Sequence, residues 1–293
     1  MPLDTAEDPT STVGTHASVA PSSSPSSSEA LLENIYVLGH HGFVQTVPRP
    51  PSTWTRRPAA VLLVSPGPRT MDVELQDGRV VTGRVIAVAS MVARRLVNRA
   101  PPLLSFNVQP LHRAFPQFRA LNPPGAMALP PDPFRPFSED FVSAYRGEVG
   151  VRDVEAVFKD LLTLVHEQLP PIGTPDPRLS AVLARLHEQP EATATELAAL
   201  VGCSADWLSR RFSADMGISL RDYVGWLKQR SVFAALFTRR SITELALDAG
   251  FAGASQLSSA YQRWYGRTPS ASRDPGKVRV FLPEAASRPR HAG

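Results

Sequence analysis

Thr195-Glu-Leu-Ala-Ala-Leu-Val-Gly202 recurs further along the chain as Thr243-Glu-Leu-Ala-Leu-Asp-Ala-Gly250, and this repeat decides the reading of the C-terminal half. Each copy opens on a hydroxyl followed three residues later by a glutamate, Thr193 with Glu196 and Ser241 with Glu244. That spacing is a capping box, in which hydroxyl and carboxylate satisfy the free N–H groups of a helix start. Each copy stops on a glycine, Gly202 or Gly250, which lets the chain turn sharply out of a helix. Past the glycines the correspondence continues, Leu208 with Leu257, Phe212 with Tyr261 and Gly217 with Gly266. Apolar residues four apart hold one face of a helix inward. The pattern therefore predicts, twice, a short helix, a tight turn and a second helix. That is helix-turn-helix geometry, whose second helix suits a DNA major groove.

Between the copies, Ser219 with Asp222 three residues on is another cap-like pair, opening a helix over Ser219–Phe237. At 1.5 Å per residue it would be about 28 Å long. Two recognition helices at its ends could then approach the ~34 Å spacing of successive major grooves on one DNA face.

The stretches Gly202-Cys-Ser-Ala-Asp-Trp-Leu-Ser-Arg-Arg-Phe212, Gly217-Ile-Ser-Leu-Arg-Asp-Tyr223, Ile242–Phe251 and Tyr261-Gln-Arg-Trp-Tyr-Gly266-Arg-Thr-Pro269 resemble the AraC/XylS transcription regulators. The resemblance covers roughly residues 179–273. It implies double-stranded DNA as partner, contact with the transcription machinery, and an N-terminal cupin-like barrel that binds a small molecule and forms a homodimer. This chain departs from the family at Ser259, where an arginine is common, and in the apolar character of its linker helix (Trp226, Leu227, Val232, Phe233, Phe237).

With Leu208 and Phe212 inward, 100° per residue places Asp206, Arg210 and Ser213 outward and Ser209 at the edge. Arg210 matches the position where the family commonly carries a base-reading side chain, and an arginine there can bond guanine O6 and N7 together. In the second copy Ser255, Ser259 and Gln262 face outward with Gln256 flanking. Arg263 and Arg267 are placed to meet phosphates, so the first motif is expected to discriminate sequence and the second to position the protein.

Working outward, the proline distribution separates the repeat from what precedes it. Of 29 prolines, only Pro190 falls between 178 and 268. The fold class expected is α+β and multidomain: an N-terminal small antiparallel β-barrel, cupin-like, with helices, then an all-α domain of two helix-turn-helix motifs joined by a linker helix. Residues 1–30 read as a disordered tail, rich in serine and acidic. Residues 31–170 read as the sensor or dimerisation domain, with strands at Ala59–Val64, Asp72–Leu75, Val80–Val92 and Leu103–Val108 and an Asp77-Gly78 hairpin turn. The proline-rich run 122–136 reads as irregular crossover. In Val151–Leu169, Val154, Phe158, Leu161 and Val165 form an apolar seam that either covers a sheet or contacts a second subunit. Residues 171–178 read as a stiff linker, 179–273 as the DNA-binding domain and 274–293 as a tail.

Other function classes lose support. A single cysteine, Cys203, removes disulfide scaffolds and multi-cysteine zinc clusters. His40 and His41 are adjacent and point to opposite faces of a strand, and His112 stands alone, so no metal is expected. Gly-rich phosphate loops and Gly-x-Ser-x-Gly elbows are missing. No enzyme activity and no cofactor are expected. The acidic first ten residues and the lack of a long apolar run suggest a cytoplasmic protein without a membrane segment. For the N-terminal half two readings stand. It binds a small effector through Trp54, Phe43 or Phe106, with Arg56, Arg57, Arg94, Arg95 and Arg99 favouring an anion, or it only dimerises and interacts. The net charge of +4 supports nucleic-acid binding only mildly.

Overall fold

The computed structural model describes residues 32–50, 52–97 and 101–283; the expected tail at 1–30 lies outside them. Among the described residues ten strands are formed: β1 Glu33–Val37, β2 Gly42–Val47, β3 Ala60–Val64, β4 Met71–Leu75, β5 Val80–Gly83, β6 Val85–Val88, β7 Arg94–Val97, β8 Leu103–Val108, β9 Ala126–Leu129 and β10 Val278–Phe281. They make a seven-stranded sheet in the order β10-β1-β2-β8-β3-β6-β9 and a three-stranded sheet in the order β5-β4-β7. All described pairings are antiparallel except β1 with β10.

Side chains alternate across a strand, and in β3 both faces are buried. Val61 and Leu63 meet Met71, Val73 and Leu75 of the small sheet, while Leu62 and Val64 join the core beneath the helices. A strand covered on both faces is apolar throughout, which is why Ala60–Val64 shows no alternation. The Asp77-Gly78 turn forms as expected. Leu75 N–H donates to the Arg79 carbonyl at 2.8 Å, and Gly78 takes φ +82°. The expected single run Val80–Val92 is instead two strands in different sheets, broken at Arg84. This break, together with edges at β9 and β10 that pair with no further described strand, leaves two open sheets where a closed cupin-like barrel was expected.

Two helices pack on the large sheet, α1 Ser138–Arg146 and α2 Val151–Gln168. The seam Val154, Phe158, Leu161 and Val165 is buried in the core with Phe106 of β8, so it covers the sheet. The expected irregular crossover contains β9, which pairs with β6 from Ala126 to Leu129.

The C-terminal half is helical: α3 Arg178–Glu188, α4 Ala194–Leu200, α5 Ala205–Met216, α6 Leu220–Leu236, α7 Ile242–Asp248, α8 Ala254–Tyr265 and the short α9 Pro269–Ser272. The residues expected as a tail then return as β10 and hydrogen-bond beside β1. The segment 171–176 is extended, as the prolines demand, yet the cores on either side of it are continuous. Leu197, Leu208, Phe212 and Trp226 share one cluster with Tyr36, Phe106 and Phe158. A second cluster joins Phe233, Leu245, Leu257 and Tyr261 to Ile35, Phe43 and Val278. None of the described helices is long and apolar enough to cross a membrane.

Candidate nucleic-acid interface

Both capping boxes form. Thr193 Oγ1 accepts from Glu196 N–H at 3.3 Å while Thr193 N–H donates to the Glu196 carboxylate at 2.7 Å. Ser241 and Glu244 repeat the arrangement at 3.1 and 2.7 Å. These hydrogen bonds hold both glutamate carboxyls below their usual range. Gly202 and Gly250 end the first helix of each pair at φ +65° and +73°, a left-handed conformation costly for other residues.

In α5, Ser204 Oγ accepts from Trp207 N–H at 3.2 Å, and Leu208, Phe212 and Met216 are buried. Asp206, Ser209 and Arg210 are exposed together, as the helical period requires. Ser213 departs from them. It is half-buried and lines a groove of about 730 Å³ between the end of α5 and the N-terminal domain, opposite Arg119 and Met91. Two residues on, the buried Asp215 accepts from Arg211 Nε at 2.7 Å and from the backbone N–H of Asp176 at 2.7 Å. Arg119, from the 3-10 turn Phe115–Leu121, bonds its carbonyl as well. Arg211 is thus held in an internal ion pair, and α5 is fixed at its C-terminal end to the N-terminal domain.

In α8, Leu257, Ala260, Tyr261 and Tyr265 are buried, and Ser255, Ser259, Gln262 and Arg263 are exposed. Gly253 supplies no capping side chain. Gln256 instead folds back on the entering chain: its Oε1 accepts from Ala252 N–H at 2.7 Å, so it is engaged locally. Arg263 presents its side chain outward while its carbonyl accepts from Arg56 N–H at 2.9 Å. Arg267 faces the other way. Its side chain is 18% exposed and its guanidinium ion-pairs with Glu33 of β1, whereas Ser259 and Gln262 are exposed.

The linker helix α6 explains its own apolar composition. Tyr223, Trp226, Val232 and Leu236 are fully buried, and the Trp226 indole N–H donates to Gln109 just past β8. Phe233 stacks on Phe43 of β2 at 4.7 Å between centroids. A helix that joins two motifs and also roofs a sheet needs more than one apolar face.

Of the effector candidates, Phe43 and Phe106 are core residues, and Trp54 is 42% exposed under Arg95. Arg99 lies outside the described residues, and Arg56 is exposed with Nε bonded to the Met91 carbonyl. Arg57 and Arg94 are buried. Glu33, which lines a cavity with them, gives no sequence signal, because only the strand register shows which face of β1 turns inward, and Tyr265 at the end of α8 is brought to it only by the tertiary fold. His41 and His112 meet edge to face at 5.4 Å, but no group of ligands able to hold a metal occurs among the described residues.

A family model described as a helix-turn-helix domain matches residues 197–274. No curated protein matches the chain. Among solved structures, unsaturated-fatty-acid-bound ToxT from Vibrio cholerae is similar in fold, with 9% identity, 78% of this chain and 92% of that chain covered, and a TM-score of 0.50. An AraC-type DNA-binding-domain regulator from Chromobacterium violaceum is 26% identical over 33% of this chain and 89% of that chain, with a TM-score of 0.30.

Proposed function

Through its C-terminal helix-turn-helix domain this chain belongs to the AraC/XylS family of transcription regulators, and from that premise we propose that both helix pairs enter DNA and that the N-terminal domain modulates them. The observation that carries this reading is the outward face of α5. Arg210 stands exposed there beside Asp206 and Ser209, on a helix capped at its start and clamped by Asp215 at its end. A rigid helix with one free arginine among short polar side chains is suited to reading a guanine edge. On α8 the exposed groups are hydroxyls, an amide and Arg263, which favour positioning on the backbone over discrimination.

Modulation by a small molecule is supported by the shared cores, because a ligand that shifts the sheet also shifts the helices packed on it. The fatty acid in ToxT is a precedent for a ligand in this fold. A ligand-independent dimer whose N-terminal half serves only for assembly is the alternative. Selection of binding sites from random duplexes by the full-length protein tests the main reading. Enrichment of paired sites in adjacent major grooves is expected, and failure to enrich any motif would contradict it.

A further inference from the structure

Where β2, β3, β7 and β8 meet the C-terminal end of α8 there is a cavity of about 260 Å³. Arg57, Arg94, Gln45, Glu33, Tyr265 and Arg267 line it, and Val47, Leu63 and Leu103 add apolar wall. Its charges do not balance. Arg95 is paired with Glu74 at 2.7 Å, and Arg267 with Glu33. Arg57 and Arg94, 9% and 4% exposed, have no carboxylate partner among the described residues.

Their hydrogen bonds are also few. Arg57 donates to Asn107 Oδ1 at 2.8 Å and lies 5.3 Å from the Tyr265 ring centroid, while its Nε has no partner. Arg94 donates to the Val92 carbonyl at 3.3 Å. Burial pushes the Arg57 guanidinium down to about 10 and that of Arg94 well below its usual value, each also repelled by a neighbouring arginine. At about 10, Arg57 still carries its charge at neutral pH. An uncompensated buried charge is strongly destabilising, and arginines kept only for packing would have their donors saturated.

We propose that this cavity binds a small organic oxyanion, a carboxylate or phosphate group on a short apolar body, with Arg57 and Arg94 holding the charged group. A guanidinium fits both groups through paired N–H donors. The apolar wall and a volume near the lower end of ligand-binding cavities call for an organic molecule of modest size. Tyr265, Gly266 and Arg267 reach the cavity directly from the end of α8, so an occupant contacts the second helix pair. This last step rests on reading that pair as DNA-binding.

The test uses the full-length protein without DNA and follows its melting temperature with hexanoate, hexyl phosphate, hexanamide and inorganic phosphate. Hexanoate or hexyl phosphate at ~100 times its Kd is expected to raise Tm by about 5 °C, and which of the two acts identifies the charged group. Hexanamide and inorganic phosphate should do nothing. Arg94→Met should abolish the response while melting no lower than the parent in the absence of ligand, because a buried unpaired charge has been removed. An equal shift with hexanamide, a shift retained in the variant, or no shift with either organic anion would overturn the proposal. If Arg94→Met does not fold, the contrast between hexanoate or hexyl phosphate and hexanamide on the parent protein decides alone. Because no DNA is present, a negative result leaves the DNA-binding reading standing.

Discussion

Arg210 and Ser259 occupy corresponding positions on α5 and α8, and both are exposed. Arginine can read two acceptors on one guanine, worth about 1–3 kcal/mol, whereas a serine hydroxyl reads ambiguously. In competition binding against single-base variants of the selected site, Arg210→Ala should lose about 5- to 150-fold of discrimination at one position. Ser259→Ala should change little, and equal losses would refute the division of labour between the motifs. His112 allows a second prediction at this scale. Burial first, then His41 and Arg113, lowers its pKa to about 4, against about 6.5 in an unfolded chain. Between these values the unfolded chain takes up a proton that the folded chain does not, so stability falls as pH drops from 6.5 and levels off below about 4. The Nδ1 atom of His112 accepts from Ala114 N–H at 3.1 Å, which also requires the neutral ring. In melts from pH 7 to 4, His112→Gln should lose less Tm than the parent; parallel curves would exclude the imidazole as the cause. The outward placement of Arg210 and Ser259 was legible from the helical period. The inward turn of Arg267 was not, because Glu33 lies in a different domain of the sequence.

At the scale of elements, the two capping boxes and the glycine stops were readable because they depend on residues three or four apart. Thr193→Ala and Ser241→Ala should each cost about 1 kcal/mol in denaturant unfolding, and a loss below a few tenths in either would mean its cap is idle. Helix α6 is the opposite case. Its apolar residues were visible, but the surface they cover was not. Trp226 is fully buried and its indole N–H is bonded to Gln109, so Trp226→Ala should destabilise the protein by about 3–5 kcal/mol. An effect near zero in the same assay would show that α6 does not rest on the sheet in solution. Strands β9 and β10 were missed for a related reason. Four residues flanked by proline, or placed near a chain end, carry too little pattern to announce a strand; pairing with β6 and β1 supplies the hydrogen bonds that define them.

For the whole molecule, the important departure is the continuity of the cores across residues 171–176. The first helix pair and the front of α6 share a core with α2 and the large sheet, and the second pair shares one with β1, β2 and β10. Domains joined this way should unfold together. The full chain is expected to give one calorimetric transition with matching van't Hoff enthalpy, and two separable transitions would show that the shared cores are weak. A fragment ending at 170 loses β10 and uncovers Ile35 and Phe43, so it should melt lower than the full chain or aggregate.

The sequence by itself determined the doubled helix pair, its caps, its turns and, Ser213 apart, the residues on its outward faces, because all of these follow from spacings of three and four along one helix. Only the tertiary structure decided that two open sheets replace a barrel, that Arg267 and Arg211 are spent on internal carboxylates, and that Arg57 and Arg94 stand unpaired around a cavity. Those features depend on strand register and on contacts between residues far apart in the chain, where a one-residue slip exchanges inward for outward and no local pattern records the difference.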